Sequence, residues 1–259
     1  MEIIDTHCHL DFSAFDDDRA EIVSACCHAG ITTIVVPSVT QSNWTNVVKT
    51  QKQFDGIEVA FGLHPCFIKN HKKEHVDKLD SLIKTKRPIA IGEIGLDFYT
   101  KDADRDSQQY YFNSQLDLAS HHSLPVLLHV RKAHEQIILA LKKIECIGGI
   151  VHAFNGSLEQ AYRYIDLGFK LGFGGTLTYT GSTRIRHVAS KLPIEALVLE
   201  TDAPDMPVAR HKGERNSPLY IQYSLDALAK IRAESRAAIA AQTSANARSV
   251  LKLSKNTKH

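Results

Sequence analysis

The chain has 259 residues, with 31 Lys and Arg against 29 Asp and Glu, a formal charge of +2 and 43% hydrophobic residues. That length suits two average domains or one large core such as an α/β barrel, and a charge so near zero excludes a surface that attracts polyanions generally. Any nucleic-acid contact must therefore come from a local basic patch, and the 14 histidines, the commonest metal ligand type, become the feature to place.

Eight short apolar, β-branched runs recur along the chain, at 2–6, 32–37, 59–62, 89–92, 126–129, 150–152, 170–173 and 197–200. Each is nearly continuous rather than alternating, as expected of strands covered on both faces. Between them lie segments of helical periodicity at 19–29, 43–53, 76–84, 104–122, 133–144, 158–167 and 184–190. Gly30 and Gly168 read as left-handed helix ends, and Ser157 with Gln160 as a capping box. Right-handed βα units repeated eight times close most naturally into a (β/α)8 TIM barrel. From Ser217 onward two or three extra helices are expected to pack outside it, followed by a polar tail at 254–259. No linker divides the chain, so a single domain over 1–259 is expected.

The N-terminus lacks a cationic-then-apolar signal, and no apolar run reaches membrane-spanning length. The five cysteines, Cys8, Cys26, Cys27, Cys66 and Cys146, are odd in number with no C-x-x-C pair, which suits a reduced, cytoplasmic protein. Nothing points to an obligate protein partner or a membrane. Cys8 lies between two histidines, but strand periodicity turns it away from them as a small buried apolar group.

In such a barrel, residues at the carboxyl ends of the strands line the catalytic mouth. Those ends carry His7 and His9, His64, Glu93, His129, His152, and Glu200 with Asp202. His7 and His9 stand two apart on a predicted strand, so both rings face one side and can share a cation. A carboxylate can bridge two cations, and Glu93 is the natural bridge. The expected ligand sets are His7, His9, Glu93 and Asp202 for one divalent metal, and Glu93, His129 and His152 for a second. Cations offset the cost of gathering carboxylates and imidazoles in a buried mouth. Asp5, on the same strand face, is expected to orient a histidine through its ring N–H, with a capping or surface role as the alternative.

These residues sit in motifs that resemble the TatD-related metal-dependent hydrolases, an amidohydrolase-like barrel family that includes DNA-degrading enzymes. The matches are Asp5-Thr6-His7-Cys8-His9-Leu10-Asp11, Gly62-Leu63-His64-Pro65, Gly92-Glu93-Ile94-Gly95-Leu96-Asp97, Leu128-His129-Val130-Arg131, Val151-His152-Ala153-Phe154 and Leu199-Glu200-Thr201-Asp202-Ala203-Pro204. Stretches near Arg215-Asn216-Ser217-Pro218 and Ser244-Ala245-Asn246-Ala247 extend the likeness over nearly the whole chain. The resemblance implies that His7, His9, Glu93, His129, His152 and Asp202 bind one or two divalent cations, and that the enzyme is a 3′–5′ deoxyribonuclease. Four imidazoles suit Zn, Mn, Co or Ni by ligand softness, whereas the resemblance allows Mg.

The expected reaction is attack on phosphorus by metal-activated water, with Asp202 as proton acceptor and Glu200 supporting it as a catalytic carboxylate. His64 and Arg131 stand where a cation pairs with a phosphate oxygen, although Arg131 equally suits a salt bridge to a loop carboxylate. DNA or a small phosphodiester would meet a local basic mouth of Arg184, Arg186, Arg210, His211, Lys212 and Arg215. Phe67 and Tyr99 can stack a terminal base or simply pack. The alternatives are hydrolysis of an amide, lactone or other ester, because the same water attacks carbonyls, or a non-catalytic metal-binding scaffold.

Overall fold

The computed structural model describes residues 1–144 and 147–254; Cys146 and the tail beyond 254, with His259, lie outside the described residues. All eight predicted runs form strands: β1 (Ile3–Asp5), β2 (Ile31–Pro37), β3 (Ile57–Phe61), β4 (Ala90–Asp97), β5 (Val126–Arg131), β6 (Gly149–Val151), β7 (Phe169–Phe173) and β8 (Leu197–Leu199). They pair in parallel, in chain order, as one eight-stranded sheet. Between β8 and β1 the seam is drawn together by the Thr6 amide donating to the Leu199 carbonyl (3.0 Å) and the Asp202 amide donating to the His7 carbonyl (2.8 Å). The result is a nearly closed TIM-type barrel.

The intervening helices are α1 (Arg19–His28), α2 (Trp44–Gln53), α3 (Glu74–Lys86), α4 (Arg105–His122), α5 (His134–Leu141), α6 (Leu158–Asp166) and α7 (Thr183–Lys191). Covering helices explain why every residue of β4 is buried, and hence why the strand reads as unbroken rather than alternating. The punctuation is also as predicted. Gly30 and Gly168 take φ of 82° and 83°, and Ser157 and Gln160 cap α6 reciprocally.

The C-terminal segment forms α8 (Ile221–Arg232) and α9 (Arg236–Leu251), and here the structure departs from expectation. Instead of lying outside the barrel, α9 plugs its amino-terminal end. Ala247 and Leu251 pack into an interior layer to which seven strands contribute, among them Ile4, Val35, Leu127 and Val198. Polar bonds set the helix in place: Asn246 donates to the carbonyls of Ile194 and Leu197 (both 2.7 Å), and the Ser244 hydroxyl donates to Glu2 (3.1 Å). The two small residues Ala60 and Ala90 in the same layer make it shallow on one side, so an apolar helix face is needed to exclude water from below. Among the described residues, no helix is long and apolar enough to cross a membrane.

Leu251 is 1% exposed, so Leu251→Ala is expected to lower unfolding free energy by about 2–5 kcal/mol in denaturant titrations. A loss within a few tenths of a kcal/mol would show that α9 does not complete the core.

Candidate metal centre

After Asp5 the chain leaves the ladder, so His7 and His9 are not strand residues as the spacing suggested. Their segment is instead wedged between neighbouring strand ends: the Cys8 amide donates to Val35 (3.0 Å) and the His9 amide to Ala203 (2.8 Å). Both rings nevertheless reach the same carboxylates. His7 Nε2 lies 3.1 Å and His9 Nε2 3.6 Å from Glu93 Oε2, and they lie 3.8 and 3.6 Å from Asp202 Oδ1. His9 is backed by Phe12, whose ring stacks on it at 4.7 Å. Cys8 is fully buried in the core, as its position predicted.

Glu93 sits at an irregularity in the β4–β5 pairing, between Ile91 and Ile94. Such a break re-aims a side chain that regular pleating would turn elsewhere. Its amide donates to the Ser38 carbonyl (3.0 Å), and Ser38 is itself tied to Gly62. The carboxylate then forks. While Oε2 meets His7 and His9, Oε1 meets His64 Nε2 (3.2 Å) and His129 Nδ1 (3.1 Å). Burial alone would raise the Glu93 carboxyl, but the imidazoles of His64 and His7 and the hydrogen bond with His129 hold it well below the usual carboxylate range.

His64 touches Glu93 directly, and His129 and His152 each also face a carboxylate on their own flank. His129 Nε2 pairs with Asp97 Oδ2 (3.0 Å), whereas His152 lies 3.0 Å from Glu200 Oε1 through Nδ1 and 3.5 Å from Asp202 Oδ2 through Nε2. The His152 ring stacks on His7 at 3.7 Å. Among the described residues, three compact donor groups result: His7 with His9 and Asp202, His7 with Glu93 and His152, and His64 with Cys66 and His129.

Among the described residues Asp5 hydrogen-bonds no histidine ring; it accepts from the main-chain amides of His7 (3.2 Å) and Thr201 (3.0 Å) and from the Thr201 hydroxyl (2.6 Å). It thus joins the two chain ends that carry His7 and Asp202, and burial pushes its carboxyl up to about 8. Glu200 accepts from the Ala153 amide (2.6 Å), and its Oε1 lies 3.0 Å from His152 Nδ1. Gly172 makes this possible, since a Cβ there would stand 2.1 Å from Glu200 Oε2. Asp202, in the left-handed region at φ 60°, is pulled down to about 2 by His152, His7 and His9 although burial opposes it.

Periodicity and motif spacing left Asp97, Cys66 and Asn216 without roles. Asp97 lies at the end of β4 opposite Arg131, and its carboxylate serves His129, the Tyr99 amide (3.0 Å) and the Cys66 thiol (3.3 Å). Asn216 pins the loop after β8 through the carbonyls of Thr201 (2.9 Å) and Asp205 (2.7 Å). Only its place beside the Arg215 motif signalled it.

A cavity of about 680 Å³ opens onto the cluster, and Arg131, Lys132, Phe67 and Tyr99 line it with His9, His64, Glu93, His129, His152 and Asp202. Most of the expected basic mouth is turned to other tasks. Arg215 forms a two-armed ion pair with Asp18 (3.0 and 2.5 Å) and lies over Phe15, outside the cavity wall. Arg184 and Arg186 donate to the carbonyls of Gly156 and Leu177. His211 pairs with Glu214 and stacks on Tyr220, and Arg210 lies over Tyr223. Guanidiniums near loop carbonyls and carboxylates fold inward to satisfy them, which spacing alone does not reveal.

The donor chemistry fits a divalent cation. His7 Nδ1 and Nε2, His9 Nδ1, His152 Nδ1 and Glu200 Oε2 are buried without an aligned hydrogen bond, even where a carboxylate lies near. Such atoms are costly unless another partner takes them. A family model for TatD related DNase matches residues 4–252. The chain belongs to this family. It is 39% identical over 219 residues to the metal-dependent hydrolase YjjV of Escherichia coli (strain K12), covering 83% of this chain and 84% of that one. To the metal-dependent hydrolase YabD of Bacillus subtilis (strain 168) it is 30% identical over 253 residues, 97% and 99% of the two chains. The crystal structure of the TatD homolog YjjV from Escherichia coli K12 matches with a TM-score of 0.93 at 35% identity, over 97% and 98% of the chains. A TatD family hydrolase of Entamoeba histolytica, 20% identical, shares the fold at a TM-score of 0.83 over 96% and 98%. The chain is therefore a member of a family of metal-dependent hydrolases.

Thr201→Val removes the hydroxyl that Asp5 accepts and leaves a buried carboxyl oxygen short of a partner. It is expected to cost about 1–3 kcal/mol in unfolding free energy. An unchanged denaturation midpoint would show that the Asp5–Thr201 link does not hold the seam.

Proposed function

We propose that this metal-dependent hydrolase is a phosphodiesterase that removes nucleotides from a DNA strand end, in the 3′–5′ direction that the family resemblance implies. The observation that carries the reading is Arg131. Its guanidinium lies 3.6 Å from the centre of the Tyr99 ring at the edge of the cavity, and among the described residues no carboxylate pairs with it. A stacked guanidinium is pre-oriented, with its planar fork left for phosphate oxygens. A cavity of this size suits a nucleotide unit better than a duplex, and Phe67 and Tyr99, 38% and 58% exposed, offer faces for a terminal base.

His7, His9, Asp202 and Glu93 would hold one divalent cation, of the Zn, Mn, Co, Ni or Mg class, with Glu93, His129 and His152 available to a second. Bound cations of this kind polarise a water towards hydroxide and neutralise charge developing on phosphoryl oxygens. Asp202, ionised at neutral pH, accepts the proton of the attacking water. Glu200 acts through His152 by fixing its ring. Arg131 and His64 pair with the phosphate, and the phosphate's own charge is thereby matched at a mouth with few other cations.

Hydrolysis of an amide, lactone or carboxylic ester is the second reading. It is favoured by the apolar part of the cavity wall, formed by Phe12, Val39, Phe154, Ile185 and Met206, which offers a phosphodiester nothing. Steady-state kinetics on single-stranded DNA, with and without a chelator, and on carbonyl esters separate the two. Arg131→Ala is expected to raise KM for DNA about 10–100-fold, the equivalent of about 1.5–3 kcal/mol of charge-assisted hydrogen bonding, with kcat little changed. Chelator-sensitive ester or amide turnover with DNA untouched would transfer the function to the second reading.

A further inference from the structure

We propose that Gln108 and Gln115, about two turns apart on one face of α4, are positioning residues for the substrate-meeting edge of the mouth, which they hold by standing in for strand pairing that β3 and β4 lack. The proposal rests on the reading of His64 and Arg131 as the groups that meet the phosphate. β3 and β4 pair at Ala60–Ala90 and Phe61–Ile91, after which the two strands part. Beyond that point the His64 amide donates to the Val39 carbonyl on the β2 side (2.9 Å), and the Phe98 amide to the Arg131 carbonyl on the β5 side (2.8 Å). The residues before them, Leu63 and Asp97, turn their own main-chain groups the other way, into the gap between β3 and β4. Both are buried, so those groups need partners.

The helix supplies them. The Leu63 amide donates to Gln115 Oε1 (2.6 Å), and Gln115 Nε2 donates back to the Leu63 carbonyl (3.2 Å). In the same way the Asp97 amide donates to Gln108 Oε1 (2.8 Å), and Gln108 Nε2 donates to the Asp97 carbonyl (3.0 Å). A carboxamide carries an acceptor and a donor much as a peptide group does, so each glutamine acts as one rung of a ladder. Gln115 Nε2 also donates to the Tyr111 carbonyl one turn back on α4 (3.0 Å), and both glutamines are buried. These rungs carry the phosphate-meeting groups. His64 is joined directly to Leu63. Tyr99, two residues beyond Asp97, donates its amide to the Asp97 carboxylate (3.0 Å) and lies under the Arg131 guanidinium. A displacement of about 1 Å in such groups can cost up to about 100-fold in rate.

Double-mutant kinetics on the full-length protein test this. Gln115→Met keeps the length of the side chain and removes its bonds, and it is expected to raise KM for single-stranded DNA about 10-fold with kcat little changed. In the His64→Ala background the same change is expected to add nothing, because Gln115 acts through His64. Gln108→Met, set against Arg131→Ala, asks the same question of the second rung, so the answer does not hang on one variant folding. Amide hydrogen exchange reports the rungs without substrate: the Leu63 and Asp97 amides are expected to be protected in the wild type and each to lose protection in its own glutamine variant. Lost protection with unchanged KM, or a Gln115→Met effect as large with His64→Ala as without it, would overturn the proposal and reduce the glutamines to structural residues. A wild type that leaves DNA untouched would refute the phosphodiesterase reading instead, and the same cycle run on a carbonyl ester then decides whether the glutamines position the mouth.

Discussion

The centre of this molecule depends on one buried carboxylate. Glu93 is 2% exposed and has four imidazoles within 3.6 Å. An isolated carboxylate so far from water is prohibitively costly, and imidazoles crowded together repel one another once protonated. Each kind of group makes the other tolerable. The same mutual dependence makes the cluster a natural cation holder, since a divalent ion replaces several protons and satisfies the ring nitrogens that have no aligned partner.

The barrel supplies the geometry this requires. A break in the β4–β5 register turns Glu93 into the mouth, and its neighbour Gly95, at φ 150°, has no room for a Cβ, which would stand 1.9 Å from the His129 carbonyl. The strand bearing Glu93 and the strand bearing His129 can therefore approach closely only with glycine there. Across the molecule, Asp5 and Thr201 knit the seam on which His7 and Asp202 sit. Below, α9 seals the interior layer, so the mouth rests on a dry core. Rigidity of this kind is what a preorganised site needs.

Much of this was legible in the amino-acid sequence because parallel strands under helices carry a strong signature: continuous apolar runs, with polar residues crowded just beyond them. That placed His7, His9, Glu93, His129, His152 and Asp202 at one rim. What stayed hidden was partner choice. Asp5 had to bond main-chain amides rather than a ring because the chain leaves the ladder immediately after it. His152 turned to Glu200, and His129 to Asp97, because each ring lies nearest the carboxylate of its own flank. Arg215 was lost to Asp18, nearly two hundred residues away in sequence. Cys66 gave no signal because its neighbours in space, His129 and Asp97, come from other strands.

Cation binding through Glu93 is tested most directly by metal titration of the wild type and of Glu93→Ala, followed by thermal unfolding. Wild-type protein is expected to bind divalent cation and to melt at higher temperature as the free metal rises, with affinity falling as the pH drops and protons compete for the histidines. Glu93→Ala is expected to lose most of that binding while remaining folded. A folded Glu93→Ala protein that binds cation as tightly as the wild type, or a wild type whose melting is indifferent to every divalent metal, would contradict the assignment of this carboxylate as the centre of the site.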